Sequence, residues 1–175
     1  MCDVLRVFRV CEEAIVPKYS TKYSACFDLH ACLVKNASPI KVKAFVPDSI
    51  FEKSVELKVN ETFELIIPPK ARVLVPTGLK FNIEVGRSIR LHPRSGLSFK
   101  SGLGLSNCEG VIDEDYFDEV FVSLINLSNT DQKICHADRV CQAELHVDNR
   151  CELNEIHTEP YQKTDRNGGF GSTGK

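Results

Sequence analysis

Apolar residues in this chain fall in short runs broken by Gly and Pro, with no long helical period, and that confines it to a β architecture. Phe81, Ile83 and Val85 alternate with Asn82 and Glu84, the pattern of a half-buried strand. The run Val120-Phe121-Val122-Ser123-Leu124-Ile125-Asn126-Leu127 is apolar nearly throughout and predicts a strand buried on both faces of a sandwich. Ile134 to Val147 predicts a further strand pair, turning at His136-Ala137-Asp138. Turn signals stand at Pro68-Pro69, Pro76-Thr77-Gly78, Pro93 and Gly102. Many short strands separated in this way predict an all-β sandwich or barrel. One segment is ambiguous: Ser49-Ile50-Phe51-Glu52 fits a capping box, so Ile50 to about Leu57 reads as a short helix or as part of a long β-hairpin.

A length of 175 residues suits one domain with a sizeable core and barely two. The formal charge of -2 gives no broad drive towards nucleic acid or anionic membrane, so an anionic ligand has to be held by a local site. No stretch approaches membrane-spanning length, and Met1-Cys2-Asp3-Val4-Leu5-Arg6 lacks the apolar run of a secretory signal. The eight cysteines contain no Cys-x-x-Cys pair, and they read as reduced thiols packed as small hydrophobes in a cytoplasmic protein.

Three stretches carry chemistry. Pro93-Arg94-Ser95-Gly96-Leu97 offers a guanidinium fork, a hydroxyl and an unshielded amide, all suited to a polyphosphate. A surface arginine in a turn is the plainer reading of the same residues. In Asn107-Cys108-Glu109-Gly110-Val111-Ile112-Asp113-Glu114-Asp115-Tyr116, an apolar pair leads into three acids where a hairpin is expected. Glu114 and Asp115 read as a solvated turn. Asp113, directly after the apolar pair, is better placed to be partly buried and aimed; with a reference pKa of about 3.9 it is ionised and ready to take a proton from water. The segment from Thr164 to Lys175 is glycine-rich around Phe170, and reads as a frayed terminus or as a flap that closes over a ligand. Gly169 to Lys175 also matches the first seven positions of a P-loop, but neither the following Ser or Thr nor the phosphate-receiving helix is present. What remains is a set of glycine amides with the hydroxyls of Ser172 and Thr173. Cys135-His136 alone does not define a soft-metal site.

Five blocks in order resemble the five motifs of the trimeric dUTPases. They are Ala25-Cys26-Phe27-Asp28-Leu29; Pro93 to Leu97; Asn107 to Tyr116; Asp138-Arg139-Val140-Cys141-Gln142; and Arg166 to Gly174. The resemblance implies a jelly-roll subunit, residues 1–163, and a C-terminal tail, 164–175, exchanged between subunits of a homotrimer. It implies Mg2+-assisted hydrolysis of dUTP to dUMP and pyrophosphate, with Asp113 activating the water that attacks the α-phosphorus. By the same resemblance, the backbone of Gly110, Val111 and Ile112, with Asn107 and Phe121, reads uracil, and Tyr116 lies beneath the deoxyribose. Arg94, Ser95, Gly96 and Gln142 line the phosphates. Phe170 stacks on uracil, Arg166, Gly171, Ser172 and Thr173 close over the γ-phosphate, and Asp28 holds Mg2+ through water.

Some positions depart from the family pattern. Cys26 and Asp118 stand where glycines are usual, and Arg166 is four residues before Phe170 instead of five. The connection from Asn36 to Arg72 is longer than usual and reads as a surface elaboration or a partner-binding insert. A dCTP deaminase-like enzyme is the nearest rival, but Leu124 to Asn129 lacks that family's glutamate. A regulatory protein that keeps the fold without catalysis is the alternative of a different class.

Overall fold

The computed structural model describes residues 4–47 and 52–165. The strands are, in order, β1 (Arg6–Arg9), β2 (Phe27–His30), β3 (Val34–Lys35), β4 (Ser38–Pro39), β5 (Lys41–Pro47), β6 (Glu52–Lys58), β7 (Glu64–Ile67) and β8 (Arg72–Pro76). They continue with β9 (Leu79–Asn82), β10 (Arg87–His92), the helix α1 (Ser95–Ser101), β11 (Leu103–Leu105), β12 (Gly110–Ile112), β13 (Phe121–Asn126), β14 (Gln132–Cys135) and β15 (Arg139–Val147). Two larger sheets, ordered β12-β10-β15-β2 and β11-β13-β8-β5-β6, share one core, and the pairs β1-β9, β14-β7 and β3-β4 flank them. The architecture is a sandwich, as alternation along the strands demands. Phe27, Leu29, Ile89, Leu91 and Ala143 are buried on the first sheet; Val42, Val73, Val75, Val122 and Leu124 are buried on the second.

Several sequence expectations need correction. The capping-box helix is not formed where the chain is described: Glu52–Lys58 is a strand paired along its length with β5, so the hairpin reading holds. Val55, Leu57 and Val59 are the more buried positions, and this period of two outweighs the local capping pattern. Ser49 to Phe51 lie outside the described residues. The short helix forms instead at Ser95–Ser101, closed by Gly102 in the left-handed conformation (φ 65°), whose N–H donates to the carbonyl of Ser98.

The strand over Val120 to Leu127 exists, but only one of its faces is buried in this chain. Val122 and Leu124 point inward, whereas Phe121 is 42% exposed, because nothing among the described residues covers the outer face of its sheet. The strand predicted through Val85 ends at Asn82, and Val85 is exposed. β14 and β15 flank the predicted turn at residues 136–138 without pairing to each other: β14 joins β7, and β15 joins β10 and β2. The corner is held by neighbours. The amides of His136 and Ala137 donate to the carbonyls of Phe63 and Ala31, with Ala137 at φ 69°. The seven cysteines among the described residues are free thiols; Cys32 and Cys141 are buried, while Cys108 and Cys151 are exposed. Among the described residues, no helix is long and apolar enough to cross a membrane.

Asn126, fully buried at the end of β13, ties the sheets to the following turn. Its amide donates to the carbonyls of Ile67 (2.9 Å) and Thr130 (2.8 Å), and its oxygen accepts from the backbone and hydroxyl of Ser128. Asn126→Ala strands these partners and is expected to cost about 2–4 kcal/mol in urea unfolding. An unchanged midpoint would contradict this role.

Candidate active site

The register of the four-stranded sheet sets three side chains abreast on its outer face. Asp28 on β2 pairs with Gln142 on β15, which pairs with His92 on β10. Pro93 and Arg94 leave the end of β10, so Arg94 folds back over this row. Its Nε donates to Asp28 Oδ1 at 3.0 Å, and its Nη1 to the carbonyl of Arg139 at 3.2 Å. Arg139 Nη1 reaches Asp28 Oδ2 at 3.2 Å, and Gln142 Nε2 donates to the carbonyl of Pro93 at 3.1 Å. Asp28, with its side chain 14% exposed, is therefore gripped by two guanidiniums, and three separate segments of chain meet at one basic corner.

Ser95 and Gly96 are exposed at the start of α1, beside Arg94. A Cβ at Gly96 would meet nothing within 4 Å, so packing inside this chain does not require glycine there. Cys141, next to Gln142 in sequence, points the other way into the core. Burial pushes its thiol up to about 12, which keeps it protonated and unreactive at neutral pH.

The acidic stretch lies elsewhere. β12 is an edge strand whose Gly110, Val111 and Ile112 pair with Leu91, Arg90 and Ile89. Gly110 is required by close approach, since a Cβ there would stand 3.0 Å from the Leu91 side chain. The hairpin expected where Val111-Ile112 leads into Asp113, Glu114 and Asp115 is not formed: β11 and β13 pair with each other in one sheet and β12 with β10 in the other, so the chain crosses between sheets before and after β12. Asn107 sits exposed in the first crossing, its carbonyl accepting from the Glu109 amide, with Cys108 at φ 60°.

Asp113 follows β12 and is exposed in this chain, contrary to the expected partial burial. Among the described residues, β12 is an edge strand with no neighbour on its far side, which leaves this residue uncovered. Tyr116 donates its hydroxyl to the carbonyl of Glu119 at 3.0 Å, and burial, aided by Asp118 and Glu119, raises its phenol above the usual range. Phe121 lies on the outer face of the other sheet, opposite Pro76.

The two halves are far apart. Ile112 aligns with Ile89, three residues along β10 from His92, and β12 lies three strands from β2. At about 3.3 Å per residue and 4.8 Å per strand spacing, Ile112 and Asp28 are separated by roughly 10 Å along the strands and 14 Å across them. No single side chain spans that gap. Arg166, Phe170, Gly171, Ser172 and Thr173 lie outside the described residues. Sequence reasoning passed over Arg139 as a site residue, although it stands in the block Asp138 to Gln142; its contact with Asp28 spans 111 positions.

Fold and corner together define a β-sandwich protein in which two arginines meet one aspartate at the end of a sheet. A family model described as dUTPase matches residues 42–174. The deoxyuridine 5'-triphosphate nucleotidohydrolase of Nautilia profundicola is 37% identical over 172 residues, covering 98% of this chain and 99% of its own length. A solved dUTPase of Staphylococcus bacteriophage 80alpha, with dUpNHpp, superposes with a TM-score of 0.74 at 16% identity, over 99% of each chain. That of phage phi11 of S. aureus, described with a coordinated structural Mg(II) ion, superposes with a TM-score of 0.68 at 16% identity, over 91% of this chain and 100% of its own. At such identities the structures speak for the fold alone.

The chain belongs to the dUTPase family, and its sandwich is the jelly-roll fold of that family.

The two glycines separate packing from surface. Gly110→Ala is expected to cost about 1–3 kcal/mol in denaturant unfolding, because β12 must lift from Leu91. Gly96→Ala should leave stability within about 0.5 kcal/mol or raise it slightly. Equal losses in both variants would contradict the difference in packing.

Proposed function

We propose that this chain hydrolyses dUTP to dUMP and pyrophosphate in the cytoplasm, as a homotrimer whose active sites draw on more than one subunit. The carrying observation is the meeting of Asp28, Arg94, Arg139 and Gln142 at one corner, while Asp113 stands on the far edge of the same sheet. A triphosphate lying against the corner of one chain then meets Asp113 supplied by another. Uncovered apolar surface supports this assembly. Phe45 and Phe121 are half-exposed on the outer face of the five-stranded sheet, and Leu153 and Tyr161 beyond β15 are 90% and 87% exposed.

β12 is an edge strand, so its free peptide groups suit the carbonyl and imide groups of uracil, which is read by Gly110, Val111 and Ile112 with Asn107 and Phe121. Tyr116 packs beneath the deoxyribose and leaves no room for a 2′-hydroxyl. Arg94, Ser95, Gly96 and Gln142 bind the phosphates. The tail, 164–175, acts as a segment apart from the β domain. It closes with Phe170 over uracil and Arg166, Gly171, Ser172 and Thr173 at the γ-phosphate, and so excludes water from the site.

Asp113 takes a proton from water. The water oxygen bonds to the α-phosphorus, the bond to the bridging oxygen breaks, and pyrophosphate departs. Among the described residues, no three His, Cys, Asp or Glu side chains gather to hold a metal. A protein-built cage therefore does not fit these residues, whereas Mg2+ carried on triphosphate oxygens and waters does, with Asp28 holding its water shell. When bound, the ion neutralises phosphate charge.

Asp113→Asn should lower the rate of pyrophosphate release from dUTP by about 10²–10⁴-fold while binding of a non-hydrolysable dUTP analogue persists; undiminished turnover would remove Asp113 from the role of base. Deleting Gly168 to Lys175 should abolish most hydrolysis and leave the trimer intact in sedimentation. Loss of the trimer would make the tail structural instead.

A further inference from the structure

We infer that Glu114 and Arg150 form a positioning pair that aims Asp113, an inference that rests on the reading of Asp113 as the base. Residues 113–120 contain no strand or helix, so the segment that carries Asp113 and Tyr116 has no ladder to place it. Its far end is anchored well. Glu119 Oε1 accepts from the amide of Gly78 at 2.7 Å, and the amide of Val120 donates to the carbonyl of Leu79 at 2.9 Å. At the near end, the side chain of Glu114 reaches back to the body of the domain with both oxygens. Oε2 accepts from the amide of Gly86 at 2.5 Å, and Oε1 from Arg150 Nη1 at 3.1 Å.

The two partners come from different places. Gly86, at φ 80°, lies in the turn before β10, and its carbonyl accepts from the amide of Asp148 at 2.9 Å. Arg150 follows β15. Glu114 thus ties the Asp113 segment to both strands at one end of the β10–β15 pair, where Arg87 is aligned with Val147. A carboxylate held in two directions has little freedom, and the amide of Tyr116 donates to the carbonyl of Asp113 at 3.1 Å to complete a tight turn.

The electrostatics agree with the geometry. The Gly86 amide and then Arg150 hold the Glu114 carboxyl below its usual range. Arg150 is raised first by Glu114, with smaller contributions from Asp148 and Asp113, so its cation lies within the field of the base itself. Nothing in the chemistry assigned to the family's motifs uses either residue; both act through the placement of Asp113.

Glutamine at 114 keeps the shape but offers one acceptor where two donors converge, so one arm must break. In the full-length enzyme, Glu114→Gln is expected to lower kcat for dUTP by about 10- to 100-fold with KM within about threefold. Arg150→Gln, at a more exposed position, should do the same, and Arg150→Lys should recover part of the loss. The double variant should be no worse than the poorer single one. Amide exchange gives a readout independent of turnover: the Gly86 and Tyr116 amides should exchange faster in either glutamine variant, while that of Val122 is unchanged. Unaltered kcat, or unaltered exchange at both amides, would overturn the pair as a positioning device. Absence of dUTP hydrolysis in the unmodified protein would instead refute the functional reading, with the exchange result still deciding on the pair.

Discussion

The grip of two guanidiniums on Asp28 is the contact around which the corner is organised. It needs three chain segments at once: β2 for the carboxylate, the exit of β10 for Arg94, and the start of β15 for Arg139. The pairing β10-β15-β2 in its observed register delivers them, since a slip of β2 by one residue turns Asp28 from the outer face towards the core. The buried inner faces of the same strands fix that register, so the hydrophobic core sets the geometry of the Asp28 corner. A buried carboxylate would be costly beside one cation alone; here two cations and the hydroxyl of Ser20 at 3.4 Å surround it.

The same sheet that builds the corner keeps the proposed base away from it. β12 lies at the opposite edge, its spacing from β2 set by two intervening strands. Within a single chain the corner at Asp28 and the edge that carries Asp113 do not face a common volume, and among the described residues nothing covers the outer face of the five-stranded sheet. Both features support the proposed assembly, in which symmetry brings the edge of one subunit to the corner of the next. In the proposed assembly, the exposure of Asp113 is the condition of a site that a second subunit completes.

Much of this was legible in the sequence. Alternation at Phe81 and Ile83 disclosed the strand around Leu79 to Asn82, a nearly continuous apolar run disclosed Phe121 to Asn126, and three of the blocks contain Asp28, Arg94 and Gln142, which meet at one corner. The failures share a cause, which is that local pattern cannot see what lies opposite. The capping box at Ser49 to Glu52 looked helical until the period of Val55, Leu57 and Val59 was paired against β5. α1 was missed because it buries none of its residues fully and has no side-chain cap at its start, so it carries no apolar stripe to read. Arg139, Glu114 and Arg150 went unrecognised because their partners lie 111, 28 and 36 positions away. The run of β13 reads as buried on both faces because two of its three outer residues, Phe121 and Ile125, are apolar, and composition alone does not tell which face meets the core.

A subunit-mixing experiment tests most directly whether the site is shared. Arg94→Ala removes the corner and Asp113→Asn removes the base, and each trimer made from one variant alone should be nearly inactive on dUTP. If corner and base come from different chains, unfolding, mixing and refolding the two in equal amounts restores intact sites in about a quarter of positions, with activity to match. Mixed trimers that stay as inactive as the separate variants would contradict the account, because corner and base would then belong to one chain.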